Sequence, residues 1–273
     1  MSKIVLVTTP IGNLSDITLR AKEHLEKAKY LICEDTRVTK SLLNLLGISS
    51  EGKLFESLND HSSSKSLNNI LNKIKNFEEV VLVSDAGSPV VCDPAYPLIK
   101  LAQEHNIEID SAPGVCSVIA ALEISGLPTL PFTFHGFLPR TENDIKKLSK
   151  KLSNGTHVFF DSPNRVKKSA LAFGSAIPDS KICLVREITK KFQTKYIFSG
   201  KDVADKIDRV EIKGEFVLIV NIDEPSRINE DLEDLHSMAL DYIENRQSKK
   251  GLSKILAKLT DKNAKEIYKL LVE

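Results

Sequence analysis

The stretch Ile4-Val5-Leu6-Val7-Thr8-Thr9-Pro10-Ile11-Gly12-Asn13 runs from an apolar, β-branched segment straight into a turn built on proline and glycine. Branching at Cβ restricts χ1 and favours the extended chain, so a strand is expected from Ile4 to Thr8. Pro10 then fixes one backbone angle, and Gly12 allows either a close approach or a positive φ. Beyond the turn, Ile17, Ala21, Leu25 and Ala28 return at helical spacing behind Asp16, which is placed to cap the helix. Strand, tight turn and helix make the opening of a βαβ unit.

Working outward, the same alternation repeats through the first half of the chain. Further strands are expected over Tyr30 to Cys33, Lys53 to Phe55, Val80 to Ser84 and Glu108 to Ser111. Between them, Leu42, Leu43, Leu45 and Leu46 form a helical stripe that stops at Gly47, a natural residue just past a helix end, and further helices fit near Leu67 to Ile74 and Leu98 to Glu104. Strands alternating with helices predict a parallel sheet with helices packed on it.

Pro113-Gly114 breaks this rhythm, and Pro128, Pro131 and Pro139 follow, so the lobe boundary is placed there. Strands are then expected over Phe132 to His135, Thr156 to Phe160, Lys181 to Val185, Tyr196 to Ser199 and Phe216 to Ile222, with fewer helices and a mixed sheet. Past Asp223-Glu224-Pro225 the strand pattern ends. Leu252, Ile255, Leu256 and Leu259, then Ile267, Leu270 and Leu271, read as a helical hairpin turning at Thr260-Asp261. The predicted fold is α/β and two-lobed: a parallel lobe over 1–112, a mixed-sheet lobe over 113–225 and a helical tail over 226–273.

A length of 273 residues suits two lobes, and 41% apolar with 27% charged residues is enough to bury a core. The apolar run at the N-terminus meets Pro10 too soon to be a secretory or spanning segment, so a cytoplasmic protein is expected. Cys33, Cys92, Cys116 and Cys183 are widely spaced, which points to neither a metal site nor a disulfide framework. The net charge of +1 argues against a surface that is basic throughout. Locally the balance differs: Arg246, Lys249, Lys250, Lys254, Lys258, Lys262, Lys265 and Lys269 face only Asp261 and Glu266. That tail is either a solvated amphipathic surface or a phosphate-binding one.

In a parallel α/β sheet, ligands gather outside the carboxyl ends of strands, so the loops there are the candidates. The Pro10–Asn13 turn lacks both the dinucleotide and the phosphate-loop glycine patterns. Glu34-Asp35-Thr36-Arg37 follows the second strand, where its charges either orient a ligand or cap a helix beginning near Val38. Ser84-Asp85-Ala86-Gly87-Ser88-Pro89 sets one carboxylate among small residues, suited to a flat or cationic ligand, or to an Asx turn alone. In the second lobe, Asp161-Ser162-Pro163-Asn164-Arg165 and Arg186-Glu187-Ile188-Thr189-Lys190-Lys191 follow strands, with bases that either hold phosphate or solvate an edge.

Taken in order, these loops resemble those of the tetrapyrrole methylases. The matching stretches are Thr8 to Thr18, Cys33 to Arg37, Ser84 to Pro89, Ala112 to Ser117, Gly136 to Pro139, Arg186 to Lys190 and Lys213 to Leu218. The resemblance spans both lobes. It implies a homodimer, S-adenosylmethionine in a cleft between the lobes, and methyl transfer to the 2′-hydroxyl of a cytidine in the RNA of the small (30S) ribosomal subunit. It further implies cofactor contacts at Pro10, Ile11, Asp85, Ser88, Ser117, Val118 and Phe160, and around Gly214 and Phe216. For a base near the acceptor, the candidates are Glu34, Asp35, His61 and Glu187, of which Asp35 and Glu187 are preferred as catalytic groups. Arg37, Arg186 and Lys190 are assigned to RNA phosphate.

The sequence departs from the RNA-modifying members at Ser62, Ser63, Asn164 and Gln193, where acidic or imidazole side chains are expected. These departures touch the acceptor side and spare the cofactor turn. Two alternatives therefore stay open at this stage: a methylase of a small tetrapyrrole-like molecule, and a non-catalytic RNA-binding relative.

Overall fold

The computed structural model describes residues 2–59, 63–223, 249–260 and 263–272. The chain forms two compact units, Met1–Asn221 and Ile222–Glu273. His61, like Asp60, Ser62, Arg246 and Lys262, lies outside the described residues.

The first unit holds two five-stranded sheets. The N-terminal sheet comprises β1 (Lys3–Val7), β2 (Tyr30–Cys33), β3 (Leu54–Ser57), β4 (Glu79–Val83) and β5 (Glu108–Ala112), in the order β3-β2-β4-β1-β5 with every pair parallel. Period-two alternation splits its side chains between two cores. Val5, Val7, Leu31, Cys33, Val81 and Val83 pack against Ala21 and Leu25 of α1 (Leu19–Lys27) and Leu43 of α2 (Thr36–Leu45). Ile4, Ile32, Val80 and Leu82 face the other way, onto Ile70, Leu71 and Ile74 of α3 (Ser64–Ile74) and Leu98, Ile99 and Ala102 of α4 (Tyr96–Glu104).

The helix ends refine the expectations. Thr18, not Asp16, caps α1, accepting from the Ala21 amide at 3.1 Å, because Leu14–Asp16 form a 3-10 turn of their own capped by Asn13. Lys53 lies outside β3: its Nζ donates to the carbonyls of Leu25, Glu26 and Ala28 at 3.1, 2.7 and 2.8 Å, closing the C-terminus of α1. Asp35 caps α2, which therefore starts at Thr36 rather than Val38. Gly47 has φ +74, and the Gly47 and Ile48 amides donate to Asn44 and Leu43, the paired bonds of a Schellman ending.

The second sheet comprises β6 (Phe132–Phe137), β7 (Gly155–Asp161), β8 (Lys181–Arg186), β9 (Thr194–Ser199) and β10 (Phe216–Ile222), in the order β6-β7-β10-β8-β9. β6 and β7 are parallel, whereas β8 is antiparallel to both β9 and β10, so the sheet is mixed as expected. Helices are more numerous here than anticipated: α5 (Ser117–Ser125), α6 (Glu142–Ser149), α7 (Val166–Ala176) and the single turn α8 (Val203–Lys206). Periodicity misses α7 because Val166, Ser169, Ala170, Ala172, Phe173 and Gly174 are buried around much of its circumference. In the second unit, α9 (Lys249–Thr260) and α10 (Ala264–Val272) pack against each other, with Ser253 and Ile267 buried. Among the described residues no helix is long and apolar enough to cross a membrane.

Candidate functional site

The sheet order determines where a ligand fits. The chain leaves β1 and β2 toward α1 and α2 on one face, whereas it leaves β4, which lies between those strands, toward α4 on the other. Divergent exits open a crevice on each side of the carboxyl end of β4. Three of the sequence-predicted loops meet there. Thr9 and Gly87 form an isolated bridge, exchanging N–H···O bonds of 3.0 and 3.1 Å, and the buried Thr9 hydroxyl donates to the Ser84 carbonyl at 3.3 Å. The Asp35 amide donates to Asp85 Oδ1 at 3.1 Å. Loops that follow β1, β2 and β4 are thus tied into one rim.

From that rim runs a groove of about 410 Å³ lined by Thr9, Pro10, Arg37, Val38, Ser41, Leu42, Leu45 and Asp85. The helical spacing of Val38, Leu42 and Leu45 gives it an apolar wall, and Asp85 lines it as well. Leu42 and Leu45 belong to the helical stripe expected on α2, whereas nothing in the sequence marks Val38 or Ser41 as part of a groove. Gly87 holds φ +81, and a Cβ there would stand 3.2 Å from Ile11 Cγ2, so this turn takes glycine for both reasons. Just beyond it, Val90 and Cys92 also have positive φ, of 81° and 58°. Left-handed backbone in non-glycine residues costs free energy and concentrates at binding loops.

Asp35 does more than cap α2. Its carboxylate accepts from the Arg37 amide at 2.8 Å and forms a two-point pair with the guanidinium, Nη2 to Oδ2 at 2.6 Å. The Arg37 hydrogen bonds hold the Asp35 carboxyl at about 2, so it is ionised throughout the neutral range. The Arg37 side chain is 89% exposed, which leaves its outer face open to solvent.

The second lobe reaches the same rim through two loops. A Cβ on Gly114 would lie 3.1 Å from the Thr8 side chain, which brings the approach to α5, with Ser117 half-buried and Val118 buried, against the end of β1. A Cβ on Gly12 would run into Lys190 Cγ and stand 3.0 Å from the Thr189 hydroxyl, so the Pro10–Gly12 turn lies directly against the loop that follows β8. Phe160, on β7, packs edge-on to Phe134 and Phe137 and shares a core with Val118 and Ile188. Ser88 is exposed on the β4 loop.

Two residues preferred for chemistry or RNA contact prove to be tied to other groups of the protein. Glu187 Oε1 accepts from the Glu215 amide at 2.9 Å and from Lys190 Nζ at 3.0 Å; burial pushes its carboxyl up, but these bonds outweigh it and leave the group below the usual range. Gly214, with φ +85, has no room for a Cβ because the Glu187 carboxyl fills that space. Arg186 is only 5% exposed and donates to the Lys213 carbonyl at 2.6 Å while pairing with Glu211 at 3.0 Å. Burial turns it inward, so the arginine expected on phosphate anchors the end of β8. Lys190 retains partial exposure but is shared between Glu187 and Glu215. Sequence spacing gave no sign of Glu215, which lies far along the chain.

A doubly wound parallel sheet with its ligand loops at diverging strand ends, completed by a second mixed-sheet lobe, defines a two-lobed α/β enzyme architecture. The chain belongs to the tetrapyrrole (corrin/porphyrin) methylases, whose family model matches residues 3–204. It is similar to the ribosomal RNA small subunit methyltransferase I of Thermotoga maritima, 39% identical over 225 residues that cover 81% of this chain and 99% of that protein. It is also similar to the protein of the same name from Neisseria meningitidis serogroup B, 33% identical over 273 residues covering 98% of this chain and 92% of that one. In fold it matches uroporphyrin-III C-methyl transferase from Thermus thermophilus complexed with S-adenyl homocysteine, with a TM-score of 0.55 and 16% identity, covering 81% of this chain and 97% of that one.

Proposed function

We propose that this chain is an S-adenosylmethionine-dependent methyltransferase that modifies the 2′-hydroxyl of a cytidine in 16S ribosomal RNA on the small ribosomal subunit, in the cytoplasm and as a homodimer. The observation that carries the reading is the rim joining the loops after β1, β2 and β4, with the Asp85 carboxylate lining an apolar-walled groove. The names of the relatives that match across most of the chain support RNA as the acceptor.

The residues present fit the cofactor. A sulfonium with an amino-acid head and an adenosine asks for backbone groups, apolar walls and a carboxylate rather than a phosphate nest. Pro10, Ile11, Asp85 and Ser88 would hold it from the first lobe, and Ser117, Val118 and Phe160 from the second. When bound, the cofactor supplies an activated methyl group.

The protein's contribution is then chiefly alignment, since holding acceptor and donor in line removes much of the barrier. A carboxylate held near 2 is a weak proton acceptor at neutral pH, so Asp35 orients the ribose hydroxyl by accepting its hydrogen bond and leaves bulk proton removal to solvent. Glu187 acts through Lys190 and Glu215 rather than on the acceptor. Arg37 meets RNA phosphate with its exposed face, and Lys190 assists where it borders Gly12. Lys249, Lys250, Lys254, Lys265 and Lys269, exposed on the C-terminal helices, add phosphate contacts.

Mass mapping of methylated nucleotides in ribosomal RNA, from cells with and without this protein, tests the reading. One ribose-methylated cytidine should disappear from the small-subunit RNA. An unchanged map would contradict the proposal.

A further inference from the structure

Phe192 is 61% exposed, yet the backbone that carries it is held firmly. Its carbonyl accepts from the Thr194 hydroxyl at 3.0 Å, and the next amide, that of Gln193, donates to the Lys190 carbonyl at 3.1 Å. The buried Arg186 guanidinium adds a tie from farther along the chain, donating through Nη1 to the Phe192 carbonyl at 3.5 Å and through Nε to the Lys213 carbonyl at 2.6 Å. One arginine therefore sets the loops around residues 192 and 213 side by side. Ile212, the neighbour of Lys213, is 51% exposed and adds apolar surface on that second loop. A single exposed ring is ordinary, but a ring on a pinned backbone loses little conformational freedom when a ligand covers it.

The charge around the ring selects the ligand. Lys191 Nζ stands 5.7 Å from the Phe192 ring centroid. The acids of the two loops are already paired, Glu187 and Glu215 with Lys190 and Glu211 with Arg186. Lys191 and Lys213 are both exposed and make no ion pair with a described residue. An exposed aromatic face flanked by unneutralised lysines is the combination that grips a single-stranded nucleic acid, the lysines on phosphate and the ring on the face of a base. A protein partner would have to desolvate both ammonium groups, whereas a polyanion neutralises them.

The ring also lies beside the cleft. Lys190 packs against Gly12, and Phe192 follows two residues later, a reach of roughly 7 Å along the chain at most. We propose that Phe192 is an RNA-binding residue, its ring stacked on an unpaired base next to the nucleotide being modified, with Lys191 and Lys213 on the flanking phosphates. This rests on the reading of the chain as an RNA methyltransferase and names where a single-stranded segment of that RNA is held.

The chain contains no tryptophan, so Phe192→Trp places one fluorescent reporter at the site. Titrating the full-length variant with oligocytidylate should quench that fluorescence, whereas a ribose-phosphate oligomer of equal length without bases should not. On small-subunit RNA, Phe192→Ala and Phe192→Leu should each bind about tenfold more weakly than wild type and Phe192→Trp within about threefold of it. Calorimetric titration should give the same S-adenosylmethionine affinity for all of them. The salt slope of RNA binding should be unchanged in Phe192→Ala, because the ring carries no charge, and should fall by about 0.7 in Lys191→Gln. Alanine and leucine variants that bind small-subunit RNA like wild type, or an unquenched tryptophan on bound oligocytidylate, would overturn this inference alone. Dissociation of a dimer by Phe192→Ala with RNA affinity intact would assign the ring to a contact between copies and overturn it as well. No binding of small-subunit RNA by wild-type protein would overturn the RNA reading and this inference together.

Discussion

The Asp35 amide donates to Asp85 Oδ1 at 3.1 Å, so the cap of α2 and the carboxylate at the end of β4 share one hydrogen bond. That bond ties the loop after β2 to the loop after β4, and the same Asp85 lines the groove. Replacing Asp85 with Asn keeps an acceptor for the amide and removes the charge. Cofactor affinity should fall by roughly tenfold while the melting temperature changes by no more than about 2 °C, read by calorimetric titration and thermal melting.

Arg37→Ala should release Asp35 from its depressed ionisation. The Asp35 carboxyl should move from about 2 toward the ordinary carboxylate value, followed by carbon-13 NMR of the side chain. Because the folded value lies below the unfolded one, the stabilisation from this pair is complete above the ordinary carboxylate range and is lost as pH falls through about 2. The substitution should leave stability at pH 7 nearly unchanged, since the pair is exposed, and should reduce the salt slope of RNA binding by about one.

Lys53→Met removes a three-carbonyl cap from α1 while keeping the aliphatic stem. Burial lowers the Lys53 ammonium pKa, so the three hydrogen bonds offset the desolvation of the charge only in part, while the three carbonyls would be left without this donor. Denaturant unfolding should show a loss of about 1–2 kcal/mol with no change in cofactor affinity.

Truncation after Pro225 should separate chemistry from RNA affinity. The Thermotoga relative is matched over 99% of its length by 81% of this chain, and the family model ends at residue 204, so that relative has little room for a counterpart of the C-terminal unit. Removing the unit should therefore raise KM for RNA and flatten its salt dependence, with kcat retained within about threefold in labelled-methyl assays. A complete loss of turnover would place the tail in the catalytic machinery.

The loops that build the site were legible because each is a local signal: a strand, then proline, glycine or a charged cluster at a fixed offset. Thr9, Pro10, Asp35 and Asp85 needed no long-range information. The cap of α1 was misplaced because Asp16 and Thr18 are both good caps two residues apart, and only the 3-10 turn formed by Leu14–Asp16 decides between them. Glu187 and Arg186 were read as reaching outward because nothing in their neighbourhood announces Glu215, Lys213 or Glu211, which β10 and the loop before it bring into place. The contact of Gly12 with Lys190 joins the first turn of one lobe to a late loop of the other, and spacing cannot reveal such a meeting.

Methyl transfer to a ribose hydroxyl of small-subunit RNA can be measured with purified protein, methyl-labelled S-adenosylmethionine and 30S subunits lacking the modification. Label is expected on one cytidine 2′-oxygen of 16S RNA. Cofactor-competent protein that places no label on that RNA would contradict the proposed activity.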